Sequence, residues 1–221
     1  MMTADRARRL RQWHRDADRE LRQGLPRRML YLGLDLLIPE QVFTPSTDAF
    51  HPLVRDQVRE SDQVLDMGTG CGIDAILAAQ RGATVLGVDI NPRAVAAAEA
   101  NAVRNRVTDR VRFLVSDVFD AVPGAFDLIL FHPPFRWFRA RDLLELSTTD
   151  ENYGALTRFM NGVRQHLRPN GRVLLRFASS GDIDYLKQLI DQTGLCKEVL
   201  ACDEVAMDDL TLTYYVFRLT R

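Results

Sequence analysis

The sequence predicts a doubly wound, Rossmann-like α/β domain whose seven-stranded sheet is mostly parallel and ends in an antiparallel C-terminal edge hairpin. Strand-like and helical runs alternate through residues 64–193, which is typical of parallel strands joined by right-handed crossovers. A glycine-rich loop follows the first of these strand-like runs, where such folds place their ligand-binding edge. Two strand-like runs close the chain with no full helix between them, which indicates a hairpin with one antiparallel edge strand.

The composition suits one sizeable domain. The 221 residues are 46% hydrophobic and 27% charged, and their net charge of −1 argues against a uniformly basic nucleic-acid binder. The cysteines Cys71, Cys196 and Cys202 show no CxxC or Cys/His ligand spacing, so we expect a reducing compartment and no metal site. No apolar run approaches the roughly 18–20 residues of a membrane-spanning helix, and the N-terminus lacks a signal-peptide core. We therefore expect a soluble, cytoplasmic protein without a membrane partner.

An arginine-rich segment precedes the alternating elements. Residues 4–24 carry apolar side chains at helical spacing, and the stretch up to Arg28 holds nine arginines against four acids. We therefore divide the chain into an N-terminal helical arm or lid, residues 1–37, and a main domain, residues 38–221. The arm is either an amphipathic helix with a solvated basic face, or a lid or docking arm for an anionic partner.

The elements of the main domain follow in order. A loop rich in proline and threonine, residues 38–52, leads into a helix near residues 51–60. Strands are predicted at residues 64–67, 84–90, 111–117, 126–131, 171–178, 197–205 and 211–219. Helices are predicted between them at residues 72–81, 92–105, 149–168 and 181–193. Thr149-Asp150-Glu151 is typical of a helix cap with acids in the first turn.

The glycine loop is the strongest motif of the chain. In VLDMGTGCG, a strand reaches Asp66, and Gly68, Gly70 and Gly72 alternate before the next helix. Glycines let a backbone turn sharply and approach a ligand closely. A dinucleotide fingerprint would need glycine where Ile73 stands, and its pyrophosphate would face an acid. The acidic loop favours a positively charged sulfonium donor, with Asp66 either receiving the ammonium of its amino-acid tail or bracing the loop amides.

Acidic residues also end the next two strands. Asp89 lies about 20 residues beyond the glycine loop, where a carboxylate can accept both hydroxyls of a ribose. Asp117 can accept the exocyclic amine of an adenine, and Val118 can donate its backbone N–H. Structural explanations remain open, since Asp89 could cap the helix that starts near Pro92 and Asp117 could brace a turn. Three acids at three successive strand ends nevertheless favour a nucleoside site.

The fourth strand, FDLILF, delivers His132-Pro133-Pro134-Phe135 at its C-terminal end. With DxGxGxG, the acid after strand two and Ser-Asp after strand three, this turn resembles the (Asn/Asp)-Pro-Pro-(Tyr/Phe) signature of the small methyltransferase group. These are class I S-adenosylmethionine-dependent enzymes that include the glutamine methyltransferases of peptide release factors and several RNA N-methyltransferases. The segment VFTPSTDAF is similar to the stretch before the core of the release-factor enzymes. The resemblance covers roughly residues 38–178 and makes 38–221 a class I methyltransferase domain.

The resemblance implies a site for S-adenosyl-L-methionine and an acceptor site beside it. The expected cofactor-binding residues are Asp66, Gly68, Thr69, Gly70, Gly72, Asp89, Asn91, Asp117, Val118 and His132. The expected catalytic residues are His132, Pro133 and Phe135, and the expected substrate-binding residues are Phe43, Thr47, Pro134 and Trp137. Methyl transfer requires no metal, and we expect none.

His132 departs from the family, which has Asn or Asp at this position. In the family this side chain and the next carbonyl accept hydrogen bonds from the target nitrogen, and the aromatic residue stacks on the substrate. A neutral histidine offers one acceptor nitrogen, and it could also act as a general base that titrates in the pH–rate profile. The other histidines, His14, His51 and His166, are expected to be surface or packing residues.

Three functions follow from these observations. The first is an enzyme that methylates a nitrogen or oxygen of a small molecule, which the near-neutral charge and the altered motif favour. The second is a methyltransferase for a protein side chain or an RNA base, which the resemblance and the basic arm favour. The third is a cofactor-binding scaffold without catalysis. The loop at residues 136–146 either closes on the acceptor or forms a surface helix with inward aromatic side chains.

Overall fold

The computed structural model describes residues 4–207 and 210–221, so residues 1–3 of the expected arm lie outside it. The helices are α1 Ala4–Gln23, α2 Phe50–Gln57, α3 Ile73–Gln80, α4 Pro92–Arg104, α5 Leu143–Leu146, α6 Gly154–Gly162 and α7 Ile183–Thr193. The strands are β1 Arg27–Tyr31, β2 Leu34–Ile38, β3 Gln63–Met67, β4 Thr84–Asp89, β5 Val111–Val115, β6 Phe126–Phe131, β7 Leu167–Ala178, β8 Cys196–Met207 and β9 Leu210–Thr220.

Seven strands form the central sheet in the order β5-β4-β3-β6-β7-β9-β8. The pairs from β5 to β7 are parallel, while β9 runs antiparallel to both β7 and β8. This confirms the predicted α/β architecture and its C-terminal edge hairpin. One detail differs, because the antiparallel strand is β9, the inner strand of the pair, and the edge strand β8 is parallel to β7. After α7 the chain forms the edge strand β8 first and then turns back, so that β9 lies between β7 and β8.

The central parallel strands β3 and β6 are mostly apolar because helices cover both faces of the sheet. Neighbouring residues along a strand point to opposite faces, so each strand feeds two separate cores. Val64, Leu128 and Leu174 pack in one core with α2, α3 and α4, whereas Leu65, Ile129 and Leu175 pack in the other with α6 and α7. The two cores fix the sheet between the helix layers and leave the carboxyl ends of the strands open.

N-cap side chains begin three of the described helices, α4, α5 and α7. Asn91 accepts a hydrogen bond from the Arg93 amide, and Pro92 occupies the first position of α4. The predicted helix at 149–168 is shorter in the structure, because α6 spans only Gly154–Gly162 and β7 already begins at Leu167. Its predicted cap is confirmed, since the Asp150 carboxylate accepts hydrogen bonds from the Ala155 and Leu156 amides.

The predicted all-helical arm is wrong beyond α1, because β1 and β2 form an antiparallel hairpin. Leu34, Leu36 and Ile38 are buried in the core that contains α2 to α4, so the boundary drawn at residue 37 falls inside a strand of the main body. The side-chain amides of Asn101 and Asn105 on α4 each exchange two hydrogen bonds with the β2 backbone. These bonds fix the hairpin on α4.

Helix α1 packs through one face. His14 is buried between the Trp13 and Phe138 rings, and the Asp18 carboxylate pairs with Arg22 and Arg141. The opposite face of α1 carries exposed arginines. Among the described helices, none is both long enough and apolar enough to cross a membrane.

Candidate active site

A cavity of about 1000 Å³ opens at the carboxyl ends of β3, β4, β5 and β6. Its floor is built from the segments that follow these strands, and α1 and residues 203–205 of β8 contribute to its rim. Crevices at this edge of an open α/β sheet are the usual ligand sites of the fold. The parallel register therefore brings together residues that lie more than 60 positions apart in the sequence.

The glycine loop forms one wall. Gly68 and Gly70 have φ of +73° and +55°, and a Cβ on either would meet no protein atom within 4 Å, so the loop backbone faces open space. Gly72 does not line the cavity. A Cβ at Gly72 would lie 2.9 Å from the Ala98 Cβ, which makes this glycine a close-packing position between the loop and α4. Gly72 therefore has a packing role, and its contact with the cofactor stays a prediction.

Asp66 also lies outside the cavity lining. Its carboxylate accepts hydrogen bonds from the Thr69 hydroxyl at 2.6 Å and from the Ala75 amide at 3.1 Å. Burial and the nearby Asp74 raise the pKa of Asp66 to about 7. The sequence left two roles open for Asp66. This geometry favours the role of bracing the glycine loop over that of binding the ammonium of a ligand. Thr69 itself lines the cavity.

Asp89 ends β4 on the cavity wall. Its two oxygens accept hydrogen bonds from the Gly70 and Asn91 amides, each at 2.9 Å, so the acid fixes the glycine loop against β4. Burial raises the pKa of Asp89. The helix cap proposed for Asp89 belongs to Asn91, whose side chain also donates to the Gln41 carbonyl and so joins α4 to the loop after β2. Asn91 lines the cavity as well.

Asp117 and Val118 follow β5 on the same wall. Both carboxylate oxygens of Asp117 accept hydrogen bonds from Arg158 on α6, at 2.8 Å each. Val118 has φ of +51°, a conformation that is strained for a β-branched residue and is typically retained at functional sites. Within the described ranges, no protein acceptor partners the Val118 amide. That amide is therefore available to a ligand at this end of the cavity.

The turn at residues 132–135 faces the acceptor side of the cavity. The His132 ring lies 6.1 Å from the Phe135 ring and nearly parallel to it, and 5.9 Å from the Phe50 ring. Burial, with the positive charges of Arg176 and His51, holds the pKa of His132 well below its usual value. His132 is thus a neutral hydrogen-bond acceptor near neutral pH, and its environment works against the general-base role considered from the sequence.

The other residues expected to bind the substrate do not all line the cavity. Phe43, Thr47, Pro133 and Pro134 line the cavity together with the turn, but Trp137 does not. Trp137 packs against the core beside α6 and α7, and its substrate contact stays a prediction. The loop at 136–146 instead sends Arg136 into the cavity, where its guanidinium lies 6.0 Å from the Trp13 ring on α1.

Two side-chain pairs in the cavity wall have no local signal in the sequence. His51 on α2 is buried rather than superficial, and its Nδ1 lies 2.7 Å from the Asp74 Oδ1 on α3. Arg176 on β7 pairs with Asp48, and its guanidinium lies 4.8 Å from the Tyr214 ring on β9. Among the described residues, no group of three or more His, Cys, Asp or Glu side chains is placed to hold a metal ion.

Similarity to known proteins agrees with this geometry. The family model "Methyltransferase small domain" matches residues 46–202. A putative protein N5-glutamine methyltransferase of Methanocaldococcus jannaschii is 39% identical over 104 residues, which cover 47% of this chain and 52% of the relative. The small-subunit ribosomal RNA methyltransferase C of Mannheimia succiniciproducens is 32% identical over 150 residues, 67% of this chain and 40% of the relative.

A solved structure shares the fold. Ribosomal protein L11 methylase from Lactobacillus delbrueckii aligns with a TM-score of 0.59 at 19% identity, covering 83% of this chain and 84% of that chain. The chain spans about half the length of the curated relatives it matches. Because the family model covers most of the sequence and the site lies at the expected sheet edge, the chain belongs to the small methyltransferase family of class I S-adenosylmethionine-dependent enzymes.

Proposed function

We propose that the protein transfers the methyl group of S-adenosylmethionine to a nitrogen of a macromolecule, with the side-chain amide of a protein glutamine as the first candidate. The observation that carries this proposal is the pair of acceptors at the double-proline turn. The neutral His132 ring offers one acceptor nitrogen, and no described residue donates to the Pro133 carbonyl. Two acceptors suit the two N–H groups of a primary amide.

The cavity wall fits the donor molecule. The Asp89 carboxylate would accept the ribose hydroxyls with its remaining lone pairs, and Asp117 with the unpartnered Val118 amide would hold the adenine edge. The open side of Gly68 and Gly70 leaves room for the amino-acid tail. S-adenosylmethionine, when bound, supplies a methyl group on a positively charged sulfur.

The protein's own contribution is to position the acceptor. His132 and the Pro133 carbonyl would hold the amide so that its nitrogen faces the methyl group, and Phe135 would stack against the amide plane. Such alignment removes much of the entropic barrier of a displacement reaction. The turn can do this because it continues β6, which is buried on both faces and therefore rigid.

The macromolecular acceptor proposed here differs from the small-molecule acceptor that the sequence favoured. The relatives reported above are named for protein glutamine and ribosomal RNA. A macromolecular acceptor needs only one side chain or base to enter the cavity while the rest stays outside. A cytoplasmic reaction agrees with acceptors of this kind.

RNA is a second candidate because of the basic face of α1. Arg8, Arg11, Arg15 and Arg19 are exposed along this helix, whose other face contributes Trp13 to the cavity rim. Arginines spaced along one helix face can bind successive phosphates of a nucleic acid, with an affinity that falls as salt rises. This arrangement would place a phosphate backbone beside the cavity mouth.

An acceptor survey tests the proposal. The purified protein is incubated with methyl-labelled S-adenosylmethionine and host extract, which is then separated into protein, RNA and small-molecule fractions. Asp89→Ala serves as the matched inactive control. Label in protein, found on glutamine by peptide mass spectrometry, is the expected result. Label confined to the small-molecule fraction would overturn the proposal.

The RNA alternative predicts a different result in the same survey. Label would appear in RNA, and the double variant Arg8→Gln/Arg11→Gln would weaken RNA binding and reduce its salt dependence. The variant Arg81→Gln/Arg112→Gln removes the same charge from exposed positions outside the cavity and is the control. Equal losses in both variants would mean that α1 has no specific role.

A further inference from the structure

Two histidines of the cavity wall lie in opposite electrostatic environments. His132 lies near the positive charge of Arg176, whereas His51 contacts the carboxylate of Asp74. Both rings lie within 6 Å of the Phe50 ring, so they occupy the same side of the cavity. Enzymes often assign acid–base roles by separating paired titratable groups in this way.

His51 is held by one nitrogen and leaves the other without a partner. Because an ionised carboxylate can only accept, the 2.7 Å contact to Asp74 places the proton on the His51 Nδ1. The Nε2 atom is then an acceptor, and it is buried without a hydrogen-bond partner among the described residues. A buried polar atom without a partner is rare in folded proteins and calls for an explanation, such as a water or a catalytic role. His51 also lines the cavity, which favours a catalytic role.

The groups that face His51 come from five separate elements. They are Asp74 on α3, Asp48 in the loop before α2, Arg176 on β7, Tyr31 on β1 and His132 after β6. Burial lowers the pKa of His51, but the charge and hydrogen bond of Asp74, with a smaller contribution from Asp48, outweigh burial and the opposing charge of Arg176. The net effect raises the pKa above its usual value.

We propose that His51 is the general base of the methyl transfer, accepting the proton that the acceptor nitrogen loses, and that Asp74 is its positioning residue. This assignment rests on the proposed function and deepens it. It accounts for the unpartnered Nε2 in the cavity wall, which a purely structural tie between α2 and α3 through Nδ1 does not require.

The step balances in atoms and charge. The new N–C bond forms with the lone pair of the acceptor nitrogen while the C–S bond breaks and its electron pair stays on sulfur. The acceptor then releases one of the two N–H protons held by His132 and the Pro133 carbonyl. This proton passes to the His51 Nε2 across one water, and the electron pair of the broken N–H bond stays on nitrogen. One positive charge leaves the sulfonium and one appears on the imidazolium, where the Asp74 carboxylate stabilises it.

Bound substrates that exclude water from the site make such a base useful. A methylated amide nitrogen that still carries its extra proton is strongly acidic, and in bulk water any solvent molecule can take the proton. In a water-excluding site the proton needs a protein acceptor within hydrogen-bond reach. His132 is poorly suited because its positive form is disfavoured, whereas the positive form of His51 is stabilised.

The first experiment measures kcat against pH for the wild type, His51→Gln and the control His166→Gln, with the acceptor fraction found in the survey. His166 hydrogen-bonds to the Gly124 carbonyl outside the cavity, so its variant makes the same chemical change elsewhere. We expect His51→Gln to lower kcat by about 100-fold or more and to abolish the fall in rate at low pH. His166→Gln should keep the rate and the profile. An unchanged profile in His51→Gln would refute the proposal.

The second experiment follows the His51 imidazole by NMR titration in the absence of any acceptor. Asp74→Asn removes the charge that stabilises the imidazolium, so the pKa of His51 should fall, and the acid limb of the rate profile should move to lower pH with it. Asp74→Glu should restore both. A His51 pKa that does not respond to Asp74→Asn would refute the dyad.

The two experiments separate failure of this proposal from failure of the proposed function. If the survey labels protein but His51→Gln behaves as wild type, methyl transfer stands and the base assignment falls. If the survey labels only small molecules, the acceptor proposal falls, while the NMR titration and the rate profile with the labelled acceptor still decide the role of His51.

Discussion

Arg158 donates from both terminal nitrogens to the two carboxylate oxygens of Asp117, at 2.8 Å each. This fork holds the acid in place at the end of β5 before any ligand arrives. Each carboxylate oxygen keeps a second lone pair, so the pair is compatible with a further donor. The relationship makes Asp117 a preorganised acceptor rather than a free surface carboxylate.

Asp117→Ala should therefore weaken S-adenosylmethionine binding. Loss of a hydrogen bond to a charged acceptor corresponds to about 1.5–3 kcal/mol, or roughly 10-fold to 100-fold in Kd. Isothermal titration calorimetry measures the change. Asp120→Ala removes an exposed acid three positions later and should leave the affinity unchanged. If both variants bind like the wild type, Asp117 does not contact the adenine.

Asp89→Ala should have a larger effect, because Asp89 both fixes the glycine loop and is assigned to the ribose. We expect a loss of about 100-fold or more in affinity by the same calorimetric measurement. Asp109→Ala, at an exposed site, is the matched control. Circular dichroism establishes that the variant is folded. Affinity equal to that of the wild type would refute the ribose assignment.

His132→Asn should retain the activity to within about tenfold, because asparagine also offers a hydrogen-bond acceptor at this position. The pH–rate profile between pH 6 and 9 should not change, since the lowered pKa of His132 keeps the ring neutral across that window. His132→Phe keeps a ring of similar shape but removes the acceptor, so kcat/KM should fall by about tenfold or more. Loss of the acid limb in His132→Asn would reinstate His132 as a base.

Asp62→Ala should lower the free energy of unfolding by about 3–5 kcal/mol, because it leaves the buried Arg172 guanidinium without its carboxylate partner. Urea unfolding followed by circular dichroism measures this loss. The double variant Asp62→Leu/Arg172→Met replaces both charges by apolar groups and should recover most of it. A loss below about 1 kcal/mol in Asp62→Ala would mean that water reaches the pair.

The strands of the central sheet were predictable because their signal is local. The apolar runs of β3 and β6 reflect burial on both faces, and the ends of β3 to β6 carry a glycine, an acid or a proline at the ligand-binding edge. The hairpin at residues 27–38 was missed for the opposite reason. Its first strand is mostly exposed and begins with two arginines, so it lacks the apolar alternation of a half-buried strand.

Some residues of the site could not be predicted from the sequence, for a related reason. His51 acquires its partner Asp74 only when α2 packs on α3. Arg176 reaches the cavity from the end of β7, where its neighbours in the sequence are apolar. Likewise, Asp117 looked like a free acid because Arg158 lies 41 positions later. Motif spacing predicts the residues of one loop, but a pair made by tertiary packing leaves no local pattern.

The asparagine side chains on α4 have a consequence for the behaviour of the protein at high concentration. The Asn105 side chain binds both the backbone N–H and the carbonyl of Asp35, and the Asn101 side chain binds those of Leu37. These are the backbone groups that β2 would otherwise offer to a neighbouring strand. A strand edge with open peptide groups is a template for edge-to-edge aggregation. Helix α4 therefore covers the open edge of β2 and keeps the hairpin from pairing with a strand of a second chain.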